Sequence, residues 1–249
     1  MPEVLILVLI FFACASVASF TYTLAERRAE KRKSKYSACH NCRKHLKWFE
    51  LIPVISFLIQ FGKCRKCKSK IPVRYLIFEL MFGAIGVLLW SYNNSILHNT
   101  YYIILTTILL YILYFDILTL EISETSLLVL LGLIILGFII PLDQFDLLDQ
   151  LSGLLLPAVF LGLLYFFSQK QLLGFGDIEL SAILGFWLGF RLSVLMLFLA
   201  FILGGIIASI LLLIKVKKVT DPVAFAPFLI IASLIAFFWG EKILNYFYL

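Results

Sequence analysis

Charge is scarce in this chain of 249 residues: charged residues make up 14% of it, against 62% hydrophobic residues, and the mean hydropathy is +1.03. A water-soluble fold of this length needs more charge to cover its surface, so the composition excludes a soluble globular protein. The first apolar run also lacks a small-residue cleavage site, and its basic cluster follows the run instead of preceding it. Both features favour a retained membrane anchor over a signal peptide.

Long apolar runs recur along the chain, and eight of them could span a bilayer. Several are shorter than the roughly 20 residues of a perpendicular span, so we expect tilted helices or helices broken near the interface. The predicted fold is therefore all-α, a polytopic membrane helical bundle of about eight transmembrane helices. The runs cover residues 4–24, 76–92, 101–115, 127–140, 151–167, 178–190, 192–214 and 223–239.

Most of the positive charge lies in the loop after the first run, although the formal net charge of the chain is only +6. Basic loops mark the cytoplasmic side, so we place this loop in the cytoplasm, next to anionic membrane lipids, and expect no nucleic-acid partner. Counting spans then places 119–124, 169–176 and 215–221 on the same side and both termini outside. The basic residues are Arg27, Arg28, Lys31, Arg32, Lys33, Lys35, Arg43, Lys44, Lys47, Lys63, Arg65, Lys66, Lys68 and Lys70.

Two C-x-x-C pairs lie in this basic loop, Cys39 with Cys42 and Cys64 with Cys67. Each pair can direct two thiolates at one cation, and four thiolates complete the tetrahedral set of a structural Zn²⁺ site. Two disulfides or free thiols are the alternatives, and disulfides do not suit a reducing compartment. We therefore predict a small cytoplasmic zinc-binding loop domain. The remaining Cys14 falls in an apolar run and is interpreted as a small buried hydrophobic residue.

Two aspartates end or begin apolar runs at the same predicted face of the membrane. Asp116 ends the third run, and Asp177 follows Gly174 and Gly176 at the start of the sixth. Paired carboxyls in a site of low dielectric can share one proton, which provides the general base and general acid of peptide hydrolysis. A helix N-terminus favours the ionised form of Asp177, so we assign it as base and Asp116 as acid. The alternative is two interfacial caps that face head groups.

Glu79 lies in the second run, where a carboxylate needs an explanation. It is either a functional group near the cytoplasmic rim or the ion-pair partner of Arg74 at helical spacing.

Several motifs together resemble the bacterial prepilin peptidase family of G-x-G-D aspartyl proteases. The resemblance implies catalytic Asp116 and Asp177, with Glu79 and the two glycines in supporting roles. It also implies cleavage of prepilin or pseudopilin leaders at the cytoplasmic face of the bacterial plasma membrane. The matching segments are the cysteine loop with 52–57 and 62–64, Arg74-Tyr75-Leu76, Phe115-Asp116, Gly174-Phe175-Gly176-Asp177 and Ala224-Phe225-Ala226-Pro227-Phe228.

Many members of this family then methylate the new N-terminus with S-adenosylmethionine. Here the early family motif is altered: an asparagine and a proline are missing near Phe20, and 122–124 is Ile-Ser-Glu where the family has Ile-Pro-Asp. Methyl transfer with S-adenosylmethionine as cofactor is therefore an open expectation.

The predicted domains are 1–24, the first transmembrane helix; 25–73, the zinc-binding loop with a methyltransferase role; and 74–249, the helical aspartyl peptidase. Two alternatives are a proton-coupled transporter that relays protons through the carboxylates and a membrane-bound zinc or redox sensor. A transporter would leave the zinc loop unexplained and usually shows an internal repeat, which we do not find. A sensor would leave both aspartates without a role.

Overall fold

The computed structural model describes residues 2–30, 36–39, 41–92, 95–140, 146–168, 173–215 and 223–246. These residues form helices and loops with no strand, apart from two isolated bridges between α1 and α3. The all-α prediction is therefore confirmed. The helices are α1 (Pro2–Ala29), a 3-10 helix (Trp48–Glu50), α2 (Ile55–Ile59), α3 (Val73–Tyr92), α4 (Ile96–Thr119), α5 (Glu124–Ile139), α6 (Leu147–Phe167), α7 (Phe175–Leu188), α8 (Phe190–Leu213) and α9 (Ala226–Tyr246).

In the described part of the chain, eight long helices follow the eight predicted apolar runs. Six of them have the length and composition to cross a membrane: α1, α3, α4, α6, α8 and α9. The other two are shorter, with 16 residues in α5 and 14 in α7. Large apolar side chains such as Phe198 and Leu213 remain exposed on these helices, as expected for surfaces that contact lipid. The chain is therefore a multi-pass membrane protein.

The chain divides into two compact units, Met1–Tyr111 and Ile112–Leu249. In the first unit, α1 packs against α3. Gly86 of α3 leaves room for the Cys14 sulfur, and Cys14 packs with Ala18 and Phe82 in a buried cluster. Such small residues let membrane helices approach closely. Cys14 is thus the small buried hydrophobic residue that was predicted.

In the second unit, α7 packs against α5, α6, α8 and α9. Gly153 of α6 and Gly185 of α7 bring two backbones together, because a Cβ on either glycine would overlap the other's carbonyl oxygen. The chain then turns at Gly189, whose φ of +77° suits glycine, and α8 begins at once. The Phe190 N–H donates to Asp149 Oδ1 at 3.1 Å, which ties this turn to the start of α6. These contacts fix α7, the helix that carries Asp177.

Candidate active site and metal centre

Asp116 lies one turn before the end of α4 and is 4% exposed. The backbone N–H of Leu120 donates to its carbonyl oxygen at 2.8 Å, which closes the last turn. Its side-chain Oδ2 is buried and has no hydrogen-bond partner among the described residues. The backbone N–H of Ala226, the first residue of α9, interacts with the same carboxyl. A buried oxygen without a donor is the arrangement expected of a carboxyl that keeps its proton.

Asp177 is the third residue of α7 and is 8% exposed. Its Oδ2 accepts a hydrogen bond of 3.1 Å from the N–H of Gly174, the residue that caps the helix. Acidic side chains in the first turn of a helix interact favourably with its free N–H groups and with its dipole. The predicted position of Asp177 at a helix N-terminus is therefore confirmed.

The two carboxyls lie close enough for their charges to interact, and both belong to the second unit. The structure thus brings together the pair that span counting had placed in one membrane layer. Gly176 makes a further close approach, since a Cβ there would be 3.0 Å from the Cβ of Ile122. This side of Gly176 is therefore packed against the segment that follows α4.

The N-terminus of α9 is a feature of this site that side-chain patterns did not assign. Ala226 is fully buried, and Pro227 follows it in the first turn, where a missing N–H costs nothing. Ala226 therefore places a backbone N–H near the Asp116 carboxyl. The only sequence signal was the alanine-proline motif itself.

The four cysteines of the first unit converge, with all their sulfur atoms within 4.8 Å of one another. Cys39 and Cys67 are 3.7 Å apart, and Cys42 and Cys64 are 4.0 Å apart. Tetrahedral zinc with Zn–S bonds of about 2.3 Å holds its sulfurs about 3.8 Å apart, so the cluster could bind zinc.

Both C-x-x-C turns have the same backbone geometry. The N–H of Cys39 donates to Lys44 and its carbonyl accepts from Arg43, while Cys64 makes the equivalent bonds with Ser69 and Lys68. Arg43 and Lys68 each have positive φ, at 52° and 57°. In each turn, backbone hydrogen bonds therefore help to orient the two sulfurs.

Hydrogen bonds have large effects on the thiol pKa values in this cluster. The Ser69 hydroxyl and N–H lower the pKa of Cys67 to about 6. For Cys42, the Lys44 N–H lowers the pKa, but burial and the other thiols outweigh it and raise the pKa to about 11.

Glu79 of α3 does not pair with Arg74, so that alternative was wrong. Arg74 instead lies 3.5 Å from Glu26 Oε1, and the Tyr75 hydroxyl donates to Glu26 Oε2 at 2.8 Å. The Glu79 carboxylate accepts the N–H of Val54 at 2.7 Å. Side chains three or four residues apart on a helix are neighbours, whereas residues five apart are about 140° apart around its axis, and Glu26 of α1 binds Arg74 instead.

The structure combines the apolar helices of a multi-pass membrane protein with two buried aspartates whose charges interact, and interacting carboxyls are the groups that aspartyl peptidases use. Residues 103–209 match the Type IV leader peptidase family, and residues 12–92 match the Bacterial Peptidase A24 N-terminal domain. The chain therefore belongs to the type IV leader peptidase family and is a peptidase, as the motifs predicted.

Three relatives bear the name prepilin leader peptidase/N-methyltransferase. That of Legionella pneumophila is 31% identical over 234 residues, which cover 89% of this chain and 80% of the relative. That of Stutzerimonas stutzeri is 32% identical and covers 84% and 73%, and that of Pseudomonas aeruginosa is 32% identical and covers 83% and 72%. No solved structure is a significant match to this chain.

Proposed function

We propose that this chain is an intramembrane aspartyl endopeptidase that removes the N-terminal leader from type IV prepilins or competence pseudopilins. The observation that carries the proposal is the burial of Asp116 and Asp177, at 4% and 8% exposure, close enough for their charges to interact. Two buried carboxyls with no basic partner recorded among the described residues suit the sharing of one proton.

In the proposed reaction, Asp177 acts as general base and Asp116 as general acid. The Asp177 carboxylate, held by the Gly174 N–H, takes a proton from water as the water oxygen attacks the scissile carbonyl. The Asp116 carboxyl donates its proton to the carbonyl oxygen as the tetrahedral intermediate forms. Collapse of that intermediate breaks the C–N bond, and the amine leaves with a proton from the pair.

We further propose that the reaction occurs at the cytoplasmic face of a bacterial plasma membrane. The basic residues between α1 and α3 support this side, because short basic loops stay in the cytoplasm. A membrane-inserted prepilin would then present its leader to the ends of α4 and α7 that carry the aspartates.

The segment 25–73 is proposed to be a zinc-binding loop domain that supports N-methylation by S-adenosylmethionine, next to a peptidase part at 74–249. Cys39, Cys42, Cys64 and Cys67 would hold Zn²⁺ in a closed, structural site. Bound zinc would fix the fold of a loop with little apolar core of its own. The relatives named as methyltransferases support the second activity.

The test uses detergent-purified full-length protein and a prepilin substrate, with leader cleavage followed by mass spectrometry. We expect Asp116→Asn and Asp177→Asn each to lower the rate by about 10²- to 10⁴-fold, the usual contribution of one general acid or base. Asp146→Asn is the matched control, because Asp146 caps α6 and asparagine caps a helix equally well. Cleavage that persists in either dyad variant would overturn the mechanism, and a transporter would cleave nothing.

A further inference from the structure

The cysteine loop between α1 and α3 carries large apolar side chains on its outside. Phe61 is 88% exposed and Trp48 is 77% exposed, although neither belongs to a helix that could span a membrane. A cluster of exposed apolar side chains marks a surface that contacts a protein or a membrane. Six such residues, which we call the apolar patch, fall between positions 48 and 61: Trp48, Leu51, Ile55, Leu58, Ile59 and Phe61.

The short helix α2 presents its apolar face outward. Ile55, Leu58 and Ile59 have the spacing i, i+3 and i+4, so they share one face of the helix. That face packs into the core of an ordinary globular protein, whereas all three residues are exposed here. Ser56 and Gln60 lie elsewhere on α2 and line a cavity of about 680 Å³ inside the first unit. This polar-in, apolar-out orientation is the one expected where the outside is lipid.

Local contacts join the rest of the apolar patch to this face of α2. The Phe61 N–H donates to the Leu58 carbonyl at 3.0 Å, so Phe61 follows directly on the last turn of α2. The Leu51 N–H donates to the Trp48 carbonyl at 3.2 Å, and side chains three residues apart in a 3-10 turn lie on the same side. The 3-10 helix itself packs against α2. The six side chains therefore belong to one surface.

The charge around the apolar patch is almost entirely positive. Glu50 is the one acidic residue of the sequence 41–72, and it is buried and paired with Lys44 at 3.1 Å. Exposed tryptophan, phenylalanine and leucine together with lysine and arginine are typical of segments that lie in the surface of an anionic membrane. The basic residues of this segment are Arg43, Lys44, Lys47, Lys63, Arg65, Lys66, Lys68 and Lys70.

The two ends of the loop keep the apolar patch near a bilayer. The loop leaves α1 at Ala29 and enters α3 at Val73, and both helices have the length and composition to cross a membrane. They pack against each other within the first unit, so the loop joins two neighbouring helix ends. A bilayer surface is therefore always within reach of the patch, whereas a protein partner would first have to arrive.

We propose that the apolar patch inserts into the surface of the anionic membrane that α1 and α3 span. Trp48, Leu58 and Phe61 lie among the upper parts of the acyl chains, and Lys47 and Lys63, which flank the patch in sequence, bind lipid phosphates. Positive charge alone would hold the loop above the head groups, but the apolar patch anchors it within them. The four-cysteine cluster is then held at the membrane surface.

The test measures the surroundings of Trp48 in full-length protein reconstituted into nanodiscs of phosphatidylglycerol and phosphatidylcholine. The chain has four tryptophans, so the Trp48 signal is the fluorescence of wild type minus that of Trp48→Phe. Quenching by phosphatidylcholine brominated on its acyl chains is compared with quenching by acrylamide in the water. Neither prepilin nor S-adenosylmethionine is needed, so the result does not depend on the proposed enzymatic activities.

We expect the brominated lipid to quench Trp48 and acrylamide to quench it several-fold less than tryptophan in free solution. Leu58→Glu puts a charge into the apolar patch and should lower lipid quenching of Trp48 by about twofold or more, since a carboxylate resists entry into hydrocarbon. Leu58→Met is the matched control, because it keeps the apolar surface and should behave like wild type. Leu58 is 58% exposed, so neither change disturbs a core, and Tm checks this.

Two results would overturn the proposal. If acrylamide quenches Trp48 as in free solution and the brominated lipid does not, the apolar patch lies in water. If Trp48 is shielded from both quenchers, protein covers the patch instead of lipid. Shielding from both that develops only when prepilin is added would identify the patch as a surface that binds prepilin.

Discussion

The contact between α6 and α7 gives a sharp prediction about activity at a distance from the aspartates. In Gly153→Ala, the new Cβ would lie 2.7 Å from the carbonyl carbon of Gly189 and closer still to the Gly185 carbonyl oxygen. Both atoms are backbone, so neither can rotate away as a side chain would. The two helices must therefore separate, and α7 carries Asp177.

The size of the effect follows from these distances. Ordinary contact between a Cβ and a neighbouring heavy atom begins at 3.4 Å, so the backbones must move apart by more than 0.7 Å. Asp177 lies eight residues before Gly185, about 12 Å along a stiff helix, so part of this shift reaches the carboxylate. Since a displacement of about 1 Å can cost 10²-fold in rate, we expect cleavage to fall about 10- to 100-fold. Overpacking should also destabilise the fold by about 1–3 kcal/mol.

Gly162→Ala on the same helix is the matched control, because a Cβ at Gly162 meets nothing within 4 Å. Alanine is favoured over glycine inside a helix by about 1 kcal/mol, so this variant should be at least as stable as wild type and equally active. Prepilin cleavage rates and thermal unfolding in detergent provide both measurements. Should Gly153→Ala match Gly162→Ala in rate and Tm, the close packing of α6 on α7 does not position Asp177.

Two further predictions concern the other supports of the structure. Asp149→Ala removes the acceptor of the Phe190 N–H and should lower the free energy of unfolding by about 1–3 kcal/mol, measured as a lower Tm. Asp149→Asn keeps an acceptor and should lower the Tm less. Equal Tm values for the two variants would contradict the hydrogen bond that connects α6 to the start of α8. Replacing Cys39 and Cys64 by serine should remove bound zinc in metal analysis, whereas Cys14→Ala should retain it, and unchanged zinc in the double variant would refute the four-cysteine site.

The sequence predicted the number and order of the apolar helices well and their ends poorly. The third run was predicted at 101–115, whereas α4 extends over Ile96–Thr119. Hydropathy identifies only the apolar part of a helix, which can lie in the hydrocarbon of the membrane. The helical hydrogen bonds continue into the polar residues at each end, so the helix is longer than the apolar run. Thr100, for example, donates its hydroxyl to the Ile96 carbonyl at 2.8 Å and stays helical.

Some features of the candidate site also follow from the spacing of residues in the sequence, whereas others depend on how the folded chain packs. Two C-x-x-C pairs and two aspartates at one membrane face are properties of spacing and span count, so the sequence predicted which side chains would meet. The roles of Ala226 and Val54 depend on backbone N–H groups, which every non-proline residue has, so no residue type marks them. Of the two alternatives for Glu79, the pair with Arg74 was wrong, because Arg74 binds Glu26, which is distant in sequence.

The length of α7 bears on where the proposed reaction occurs. Its C-terminal end is fixed at the sharp turn into α8, and its 14 residues extend about 21 Å from there. The hydrocarbon core is about 30 Å thick, so if that turn lies at one face of the core, the N-terminus of α7 falls about 9 Å short of the opposite face unless the bilayer thins around it. In contrast, the 24 residues of α8 extend about 36 Å and cover the full thickness. With the turn into α8 at one edge of the hydrocarbon, Asp177 would lie below the opposite membrane surface, and the proposed reaction would then require water and the scissile bond to reach it past the Gly174 turn.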